Sequence, residues 1–282
     1  MPTNNLHFNI CSWLSGAIAI LLLIVTLGGL FINGLYRDTT WMLVQARGQD
    51  LATLVIGVPL LIVSLLMTIR GSEKALLVWL GSLTYILYTY ITYAFGSVFN
   101  AFFLFYIALV SLSLFTLVTA LLHINVYALS HHFDAKAPVK TVSTFLLTVA
   151  ILVFLAWMKQ IIPSLFTGQL PESIALARTP SNPIFVLDLA VLLPAFCLAA
   201  IWLWRRQAWG YVLSGLLLVK GLTLSLAILS MSWFMFQSNQ PGVDPAVVAF
   251  WVVLALSGLM LTVIYLSHLH EKGENMTEVV VQ

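Results

Sequence analysis

Residues 182–233 read NPIFVLDLAVLLPAFCLAAIWLWRRQAWGYVLSGLLLVKGLTLSLAILSMSW. Two long apolar runs flank a short basic turn at Arg205 and Arg206, and each run carries one charged residue, Asp188 in the first and Lys220 in the second. A spanning α-helix needs about 20 predominantly apolar residues, and both runs reach that length. The stretch therefore predicts a pair of membrane-spanning helices with two charges inside the bilayer.

Both charges lie at membrane depth, where a charge costs ~2.5–3.5 kcal/mol on insertion scales. Asp188 and Lys159 of the preceding run are expected about 8 Å below one surface, at a rise of about 1.5 Å per residue, and Lys220 near the middle of the bilayer. A lysine stem spans about 6 Å, so either lysine reaches Asp188. The sequence leaves two interpretations open: an ion pair that fixes helix register, and a site for a substrate or a proton.

The composition places almost the whole chain in or near a bilayer. Of its 282 residues 61% are hydrophobic and 8% are charged, and the mean hydropathy is +1.03. A soluble domain carries about 25% charged residues. The net charge of +2 is too small to indicate binding to nucleic acid. Cys11 and Cys197 both lie in apolar runs, which predicts inert thiols and no disulfide framework.

The lengths of the apolar runs predict an all-α integral membrane protein, with a single transmembrane domain over 1–282 built as an eight-helix bundle. Strands of a membrane barrel would instead alternate in polarity over about 10 residues. The predicted spans are 10–34, 51–69, 75–95, 101–127, 141–162, 183–204, 210–236 and 246–269.

Lysine and arginine in the loops orient the bundle, because they accumulate on the cytoplasmic side of a cell membrane. Seven fall on one side, namely Arg70, Lys74, Lys136, Lys140, Arg205, Arg206 and Lys272, and three on the other, namely Arg37, Arg47 and Arg178. Both termini are therefore predicted to be cytoplasmic, with 271–282 as a tail. The two longer connections on the outer side, 36–50 and 163–182, are interpreted either as lids over a pocket or as loops lying at the interface.

A short internal repeat suggests two related halves. Asp-Leu-Ala-x-Leu occurs at Asp50 and at Asp188, followed by Pro59 or Pro194 and then by a basic turn, so the two motifs are separated by almost half the chain. Four helices per half would give both halves the same orientation, so we expect parallel repeats over 1–134 and 135–270, with a chance match as the alternative. Each proline removes a backbone hydrogen bond inside a span and is expected to kink it.

The pattern DLA-x-L…P…RR-x-x-WGY, which runs from Asp188 to Tyr211, resembles a group of bacterial multi-pass membrane proteins whose activity is uncharacterised. The resemblance is best over 183–221 and weaker over 36–100. It implies a shared fold and carries no activity, cofactor or site residue to this chain.

Three spans carry a polar stripe at helical spacing, which is expected to face protein because lipid cannot satisfy hydroxyl groups. The stripes are Asp50, Thr53, Gly57, Ser64 and Thr68; Gly81, Thr84, Tyr85, Tyr88, Thr92 and Gly96; and Tyr106, Ser113, Thr116, His123 and Tyr127. They predict a polar interior, with simple helix–helix packing as the alternative. The candidate binding residues are Asp188, Lys220, Asp50, Tyr85, Tyr88 and Lys159.

His123 and His268 are predicted near the same depth on two helices, an arrangement suited to axial haem ligands, and they are weak candidates for a metal site. No motif for haem attachment or metal binding accompanies them, so the sequence predicts no cofactor.

Three classes of function fit these features. A transporter or permease for a small solute or ion, with a buried polar site open to the outside, is favoured because repeats, kinked helices and buried charges occur together in carriers. A membrane-embedded enzyme or haem protein that uses the histidines is one alternative. An accessory or sensor subunit, packed against a partner subunit or a second copy in the lipid bilayer, is the other. Motifs for nucleotide binding and acyl transfer are absent, so enzymatic activity is not favoured.

Overall fold

The computed structural model describes residues 5–271 as a bundle of helices. These are α1 Asn5–Phe31, α2 Thr40–Ile69, α3 Glu73–Gly96, α4 Phe103–His123, α5 Val126–His131, α6 Val139–Thr167, α7 Glu172–Ala177, α8 Pro183–Trp204, α9 Ala208–Gln237 and α10 Pro245–Ser267. Within the described range, all except the short α5 and α7 are long and apolar enough to cross a membrane. The predicted all-α eight-helix transmembrane bundle is confirmed, and the chain is a polytopic membrane protein. Of the predicted tail, 272–282 lies outside the described residues.

The fourth predicted span, 101–127, is shorter than expected. The chain leaves α4 after His123, and the Asn125 side chain starts α5 by accepting a hydrogen bond from the amide of Ala128 at 3.0 Å. Tyr127 lies on α5 and is 71% exposed. Its predicted place on a protein-facing stripe is therefore wrong, because the helix breaks before this residue and the stripe does not continue across the break.

The segment 36–50 is mostly the first part of α2. The Thr39 side chain caps this helix by accepting the amide of Met42, and the helix continues past Asp50 without a break. Gln49 and Asp50 are buried, because this part of α2 packs between α1 and α9. The interpretation of 36–50 as a lid or an interface loop is wrong from Thr40 onward, because this part is helical and its last polar residues, Gln49 and Asp50, face other helices. The second connection, 163–182, contains the short helix α7.

Both α2 and α8 contain a π-helical turn immediately before their proline. The turns cover Thr53–Gly57 in α2 and Asp188–Leu192 in α8, and Pro59 and Pro194 follow in the next α-helical turn. A proline ring clashes with the carbonyl four residues earlier, and a π turn changes the spacing of the carbonyls there. Such single turns recur at functional sites and free backbone groups inside a membrane helix.

The turns after α2 and α8 have the same backbone geometry. Gly71 and Arg206 occupy the left-handed region with φ of 97° and 54°, and the same set of backbone hydrogen bonds closes each turn. An alignment that places Gly71 on Arg206 also superimposes the two π turns and the two prolines, and we call it the common register. In the common register Asp188 corresponds to Thr53 and not to Asp50. The two DLA motifs therefore do not occupy equivalent positions of the two helices.

Helices α3 and α9 pack against each other at the centre of the bundle. A Cβ atom on Gly81 of α3 would lie 2.5 Å from the Cβ of Val219 and 2.8 Å from the carbonyl oxygen of Leu216, both on α9, so the two helices approach closely because residue 81 is glycine. Helix α2 packs on α1, α3 and α9, and helix α8 packs on α6, α9 and α3. The two sets of neighbours are equivalent if α1 corresponds to α6 and α3 corresponds to α9. We propose on this basis that α1–α4 and α6–α10 are parallel repeats.

The loops before α3 and α9, 70–72 and 205–207, lie on one side of the bundle, here called the basic side. Ser97 and Ser238 end the same two helices on the opposite side. In a protein whose Cys11 and Cys197 are replaced, cysteines at positions 97 and 238 should react with a membrane-impermeant maleimide added to intact cells. A cysteine at Lys74 should react only after permeabilisation, because the excess of Lys and Arg in the loops predicts that the basic side is cytoplasmic. The reverse labelling pattern would show the opposite orientation.

Candidate functional site

Asp188 is held by residues from two neighbouring helices. It is the first residue of the π turn in α8 and is 4% exposed. The Tyr88 hydroxyl of α3 donates to Oδ1 at 2.8 Å, and the Trp157 indole Nε1 of α6 donates to Oδ2 at 2.8 Å. Each carboxylate oxygen therefore has one neutral donor, which satisfies the group without neutralising its charge.

Lys220 of α9 is completely buried, and its ammonium has no hydrogen-bond acceptor among the described residues. The Nζ atom lies 3.9 Å from the centroid of the Tyr88 ring, which is the geometry of a cation–π contact. No direct ion pair joins Lys220 to Asp188 in the described structure. The expected pairing of the two charges is instead indirect: Tyr88 presents its ring face to the cation and its hydroxyl to the anion.

A second buried carboxyl, that of Asp50, lies in α2. It is 1% exposed and accepts hydrogen bonds from the hydroxyls of Tyr36 and Tyr93. Tyr93 also lies 3.0 Å from the carbonyl oxygen of Ala46. Helix α1 reaches the carboxyl because position 29 is glycine: a Cβ there would overlap Oδ2 of Asp50 and the Tyr36 hydroxyl. The site is a carboxyl surrounded by phenols, with no cation in contact with it in the described structure.

A third, neutral polar cluster joins α2 to α3. The Gln49 amide donates to the Tyr85 hydroxyl at 2.6 Å and to the Thr53 hydroxyl at 3.2 Å, and the two hydroxyls are 2.9 Å apart. In the common register, Thr53 and Tyr85 correspond to Asp188 and Lys220. The equivalent positions of the two halves thus hold a neutral hydrogen-bonded pair in one half and two opposite charges in the other.

The six candidate residues lie in different places in the structure. Tyr88, Asp188 and Lys220 come together, Asp50 and Tyr85 belong to the adjacent clusters in the first half, and Lys159 is exposed. The lysine on α6 does not take the role considered for it; Trp157, on the same helix, contacts Asp188 instead.

Sequence reasoning missed Trp157, Tyr36, Tyr93 and Gln49. One signal was present for Trp157, because a buried indole N–H generally needs an acceptor. Tyr88 and Tyr93 are both on α3 but lie on different faces of it. The prediction considered one polar face of this helix, so it included Tyr88 and left out Tyr93. Nothing in the pattern marks Gln49, which lies near the end of the predicted connection 36–50, just before the second span.

The two histidines considered as metal or haem ligands, His123 and His268, each contact a backbone carbonyl oxygen of their own helix. Nδ1 of His123 lies 2.7 Å from the carbonyl oxygen of Thr119, and Nδ1 of His268 lies 2.8 Å from that of Ile264, each in its own helix. Another histidine, His132, pairs with Glu73 at 2.6 Å on the basic side. Within the described range no group of three or more His, Cys, Asp or Glu side chains is suited to a metal ion.

Comparison with known proteins assigns no family. No family model, no curated protein and no solved structure matches the chain. The class defined by the fold is that of a polytopic membrane protein, and its function has to be argued from the buried polar residues.

Proposed function

We propose that the protein is a permease that carries a small monovalent organic anion together with a proton. The observation that carries the proposal is the fully buried Lys220 ammonium, which lies beside Asp188 and has three N–H donors and no acceptor among the residues that the structure describes. A lysine can only donate, so a ligand that completes its hydrogen bonds must bring acceptors, and a carboxylate is the strongest common one.

Charge balance inside the membrane is the reason to expect that a proton is carried with the anion. With Asp188 ionised and Lys220 protonated, the site has no net charge, and a bound carboxylate would make it negative. A buried net charge is expensive, so anion binding is favoured when Asp188 takes up a proton at its carboxylate. In this scheme Tyr88 is a positioning residue, because it contacts both charged groups.

The location of the site favours a carrier. Asp188 and Lys220 lie where α8 and α9 of the second half meet α3 of the first half, and substrates of repeat-built carriers bind at such an interface near the middle of the bilayer. The π turn at Asp188 is a place where α8 can change its hydrogen-bonding pattern with little cost. The structure has both charges covered, which corresponds to a closed state of such a carrier.

Radiolabelled pyruvate and lactate are suitable probes, with purified protein in liposomes and an imposed inward proton gradient. The wild type is expected to take up at least one anion well above protein-free liposomes, with matching acidification of an internal pH-sensitive dye. Asp188→Asn should keep uptake but lose its dependence on the proton gradient, whereas Lys220→Met should abolish uptake. Equal uptake by wild type and Lys220→Met, or no uptake above protein-free liposomes, would contradict the proposal.

A further inference from the structure

A cavity of about 460 Å³ opens on the basic side of the bundle, far from Lys220 along the helix axes. It lies between α5, the end of α8 and the start of α9. Three aromatic side chains, Tyr127, Trp202 and Trp209, line it together with the polar side chains of His131, Arg206 and Gln207. A cavity that combines aromatic surface with a permanent cation is suited to a ligand with an apolar part and an anionic part.

The cavity lies at the level of the membrane–water boundary. Trp202 is in the last turn of α8, and Trp209 is in the first turn of α9. Trp and Tyr collect at this boundary because their rings are amphipathic. Tyr127 is 71% exposed and Trp209 is 37% exposed, so the rim of the cavity faces the surrounding lipid as well as water.

Arg206 occupies a backbone position that favours glycine. Its φ of 54° lies in the left-handed region, and the corresponding turn of the first half has Gly71 at this position with φ of 97°. A side chain in this region is less favourable than in the right-handed conformation, because its Cβ atom crowds the backbone, whereas glycine adopts the region freely. The turn at Arg206 is therefore strained, and a glycine at this position would remove the strain. A role for the guanidinium at the surface would explain why arginine is present instead.

The Arg206 guanidinium has only weak partners in the described structure. It donates to the Tyr211 hydroxyl at 3.4 Å and to the carbonyl oxygen of Ala135 at 3.3 Å, and both acceptors are neutral. Asp134 lies on the same loop as Ala135, but its carboxylate accepts the amide of Lys136 at 2.9 Å and does not line the cavity. That amide hydrogen bond lowers the pKa of Asp134 below its usual value. The cavity itself contains no acidic side chain among the described residues that line it.

We propose that this cavity binds the headgroup of an anionic phospholipid, with its phosphate on Arg206 and its glycerol and upper acyl region against Trp202 and Trp209. A guanidinium presents a planar set of N–H donors that matches two phosphate oxygens. A lipid is favoured over soluble phosphate because the cavity opens at the boundary and has aromatic walls that a free anion would not contact. This inference is independent of the proposed transport function.

Native mass spectrometry of the purified protein, with equal amounts of phosphatidylglycerol and phosphatidylcholine added, tests the proposal. The wild type should retain phosphatidylglycerol preferentially. Arg206→Gly should fold at least as well, because glycine relieves the strained turn, yet lose most of the preference, by about five-fold or more. Arg205→Gln removes the same charge from the neighbouring exposed position and should keep most of the preference.

Three outcomes would overturn the inference. Equal losses in Arg206→Gly and Arg205→Gln would show general attraction of the basic side for anionic lipid. An unchanged preference in Arg206→Gly would place lipid binding elsewhere. If millimolar inorganic phosphate raises the thermal stability of the wild type but not of Arg206→Gly, and phosphatidylglycerol has no such Arg206-dependent effect, the cavity binds a soluble anion and not a lipid.

Discussion

Asp188→Asn is expected to lower the thermal stability of the purified protein more than Lys220→Met does, and the double variant is expected to be more stable than Asp188→Asn alone. The difference follows from how each charge is held. Asp188 keeps two hydrogen bonds when Lys220 is removed, from Tyr88 and from Trp157. Lys220 has no hydrogen bond of its own in the described structure and depends on the Tyr88 ring and on the negative charge of Asp188.

Removing one member of a buried charge pair typically costs about 3–5 kcal/mol, because the other charge remains in a medium of low dielectric constant. Asparagine can keep both contacts only with its oxygen toward the Trp157 N–H and its N–H₂ group toward Tyr88, whose hydroxyl must then accept instead of donate. Methionine at position 220 has nearly the length of lysine and leaves neither a cavity nor a stranded cation. The double variant removes both charges together and should recover much of the loss.

Melting curves of the four proteins in the same detergent would measure this coupling. Tyr88→Phe is a useful fifth variant, since it keeps the ring under Lys220 and removes only the hydroxyl that donates to Asp188. Its loss should be smaller, about 1–3 kcal/mol for one unsatisfied buried oxygen. Additive losses for Asp188→Asn and Lys220→Met would show that the two residues do not interact through Tyr88. A recovered double variant that lacks uptake would separate the function of the pair from its structural effect.

The parts of the fold that depend on composition and run length could be predicted from the sequence. Eight spans, the α8–α9 hairpin and the burial of Asp188 and Lys220 all follow from the length of apolar runs and from where charges interrupt them. The limit of this reasoning appears at 36–50, which is interpreted from the sequence as a connection between helices although Asp50 is also placed on the polar stripe of the second span. Gln49 and Asp50 belong to a helix whose buried polar side chains are satisfied by tyrosines of other parts of the chain, and a hydropathy pattern carries no information about such partners.

The details of the site depend on how the helices align with one another, which the identity of individual residues does not determine. Side-chain reach left both Lys159 and Lys220 as candidate partners of Asp188, and the structure has no ion pair between Asp188 and either of them among the described residues. The DLA motifs suggested that Asp50 corresponds to Asp188, but turn hydrogen bonds, π turns and prolines all agree on Thr53 as its counterpart. The two prolines were expected to kink their helices; the structure has a π turn before each, because an altered carbonyl spacing accommodates the ring.

The contact between α2 and α9 is the second place where one substitution should have a large effect. Gly48 of α2 lies directly against the backbone of α9: a Cβ atom at this position would be 2.5 Å from the Cα of Met231 and 2.9 Å from the carbonyl oxygen of Ser230. The Ser230 hydroxyl also donates to the carbonyl oxygen of Gly48 at 2.7 Å. Close approach through glycine is how membrane helices gain packing contacts, because lipid provides no hydrophobic driving force between them.

Gly48→Ala should therefore destabilise the protein by about 1–3 kcal/mol or more, since backbone atoms cannot turn away as a side chain can and the two helices must separate. Gly16→Ala is the matched control: it is also a glycine within a spanning helix, but a Cβ there meets nothing within 4 Å, so its melting temperature should stay the same or rise slightly. Adding Met231→Ala to Gly48→Ala should not restore stability, because the atoms in the way belong to the main chain. Gly48→Ala tolerated as well as Gly16→Ala, or rescued by Met231→Ala, would show that α2 and α9 are not packed backbone to backbone at this point, and the placement of Gln49 and Asp50 inside the bundle would have to be revised with it.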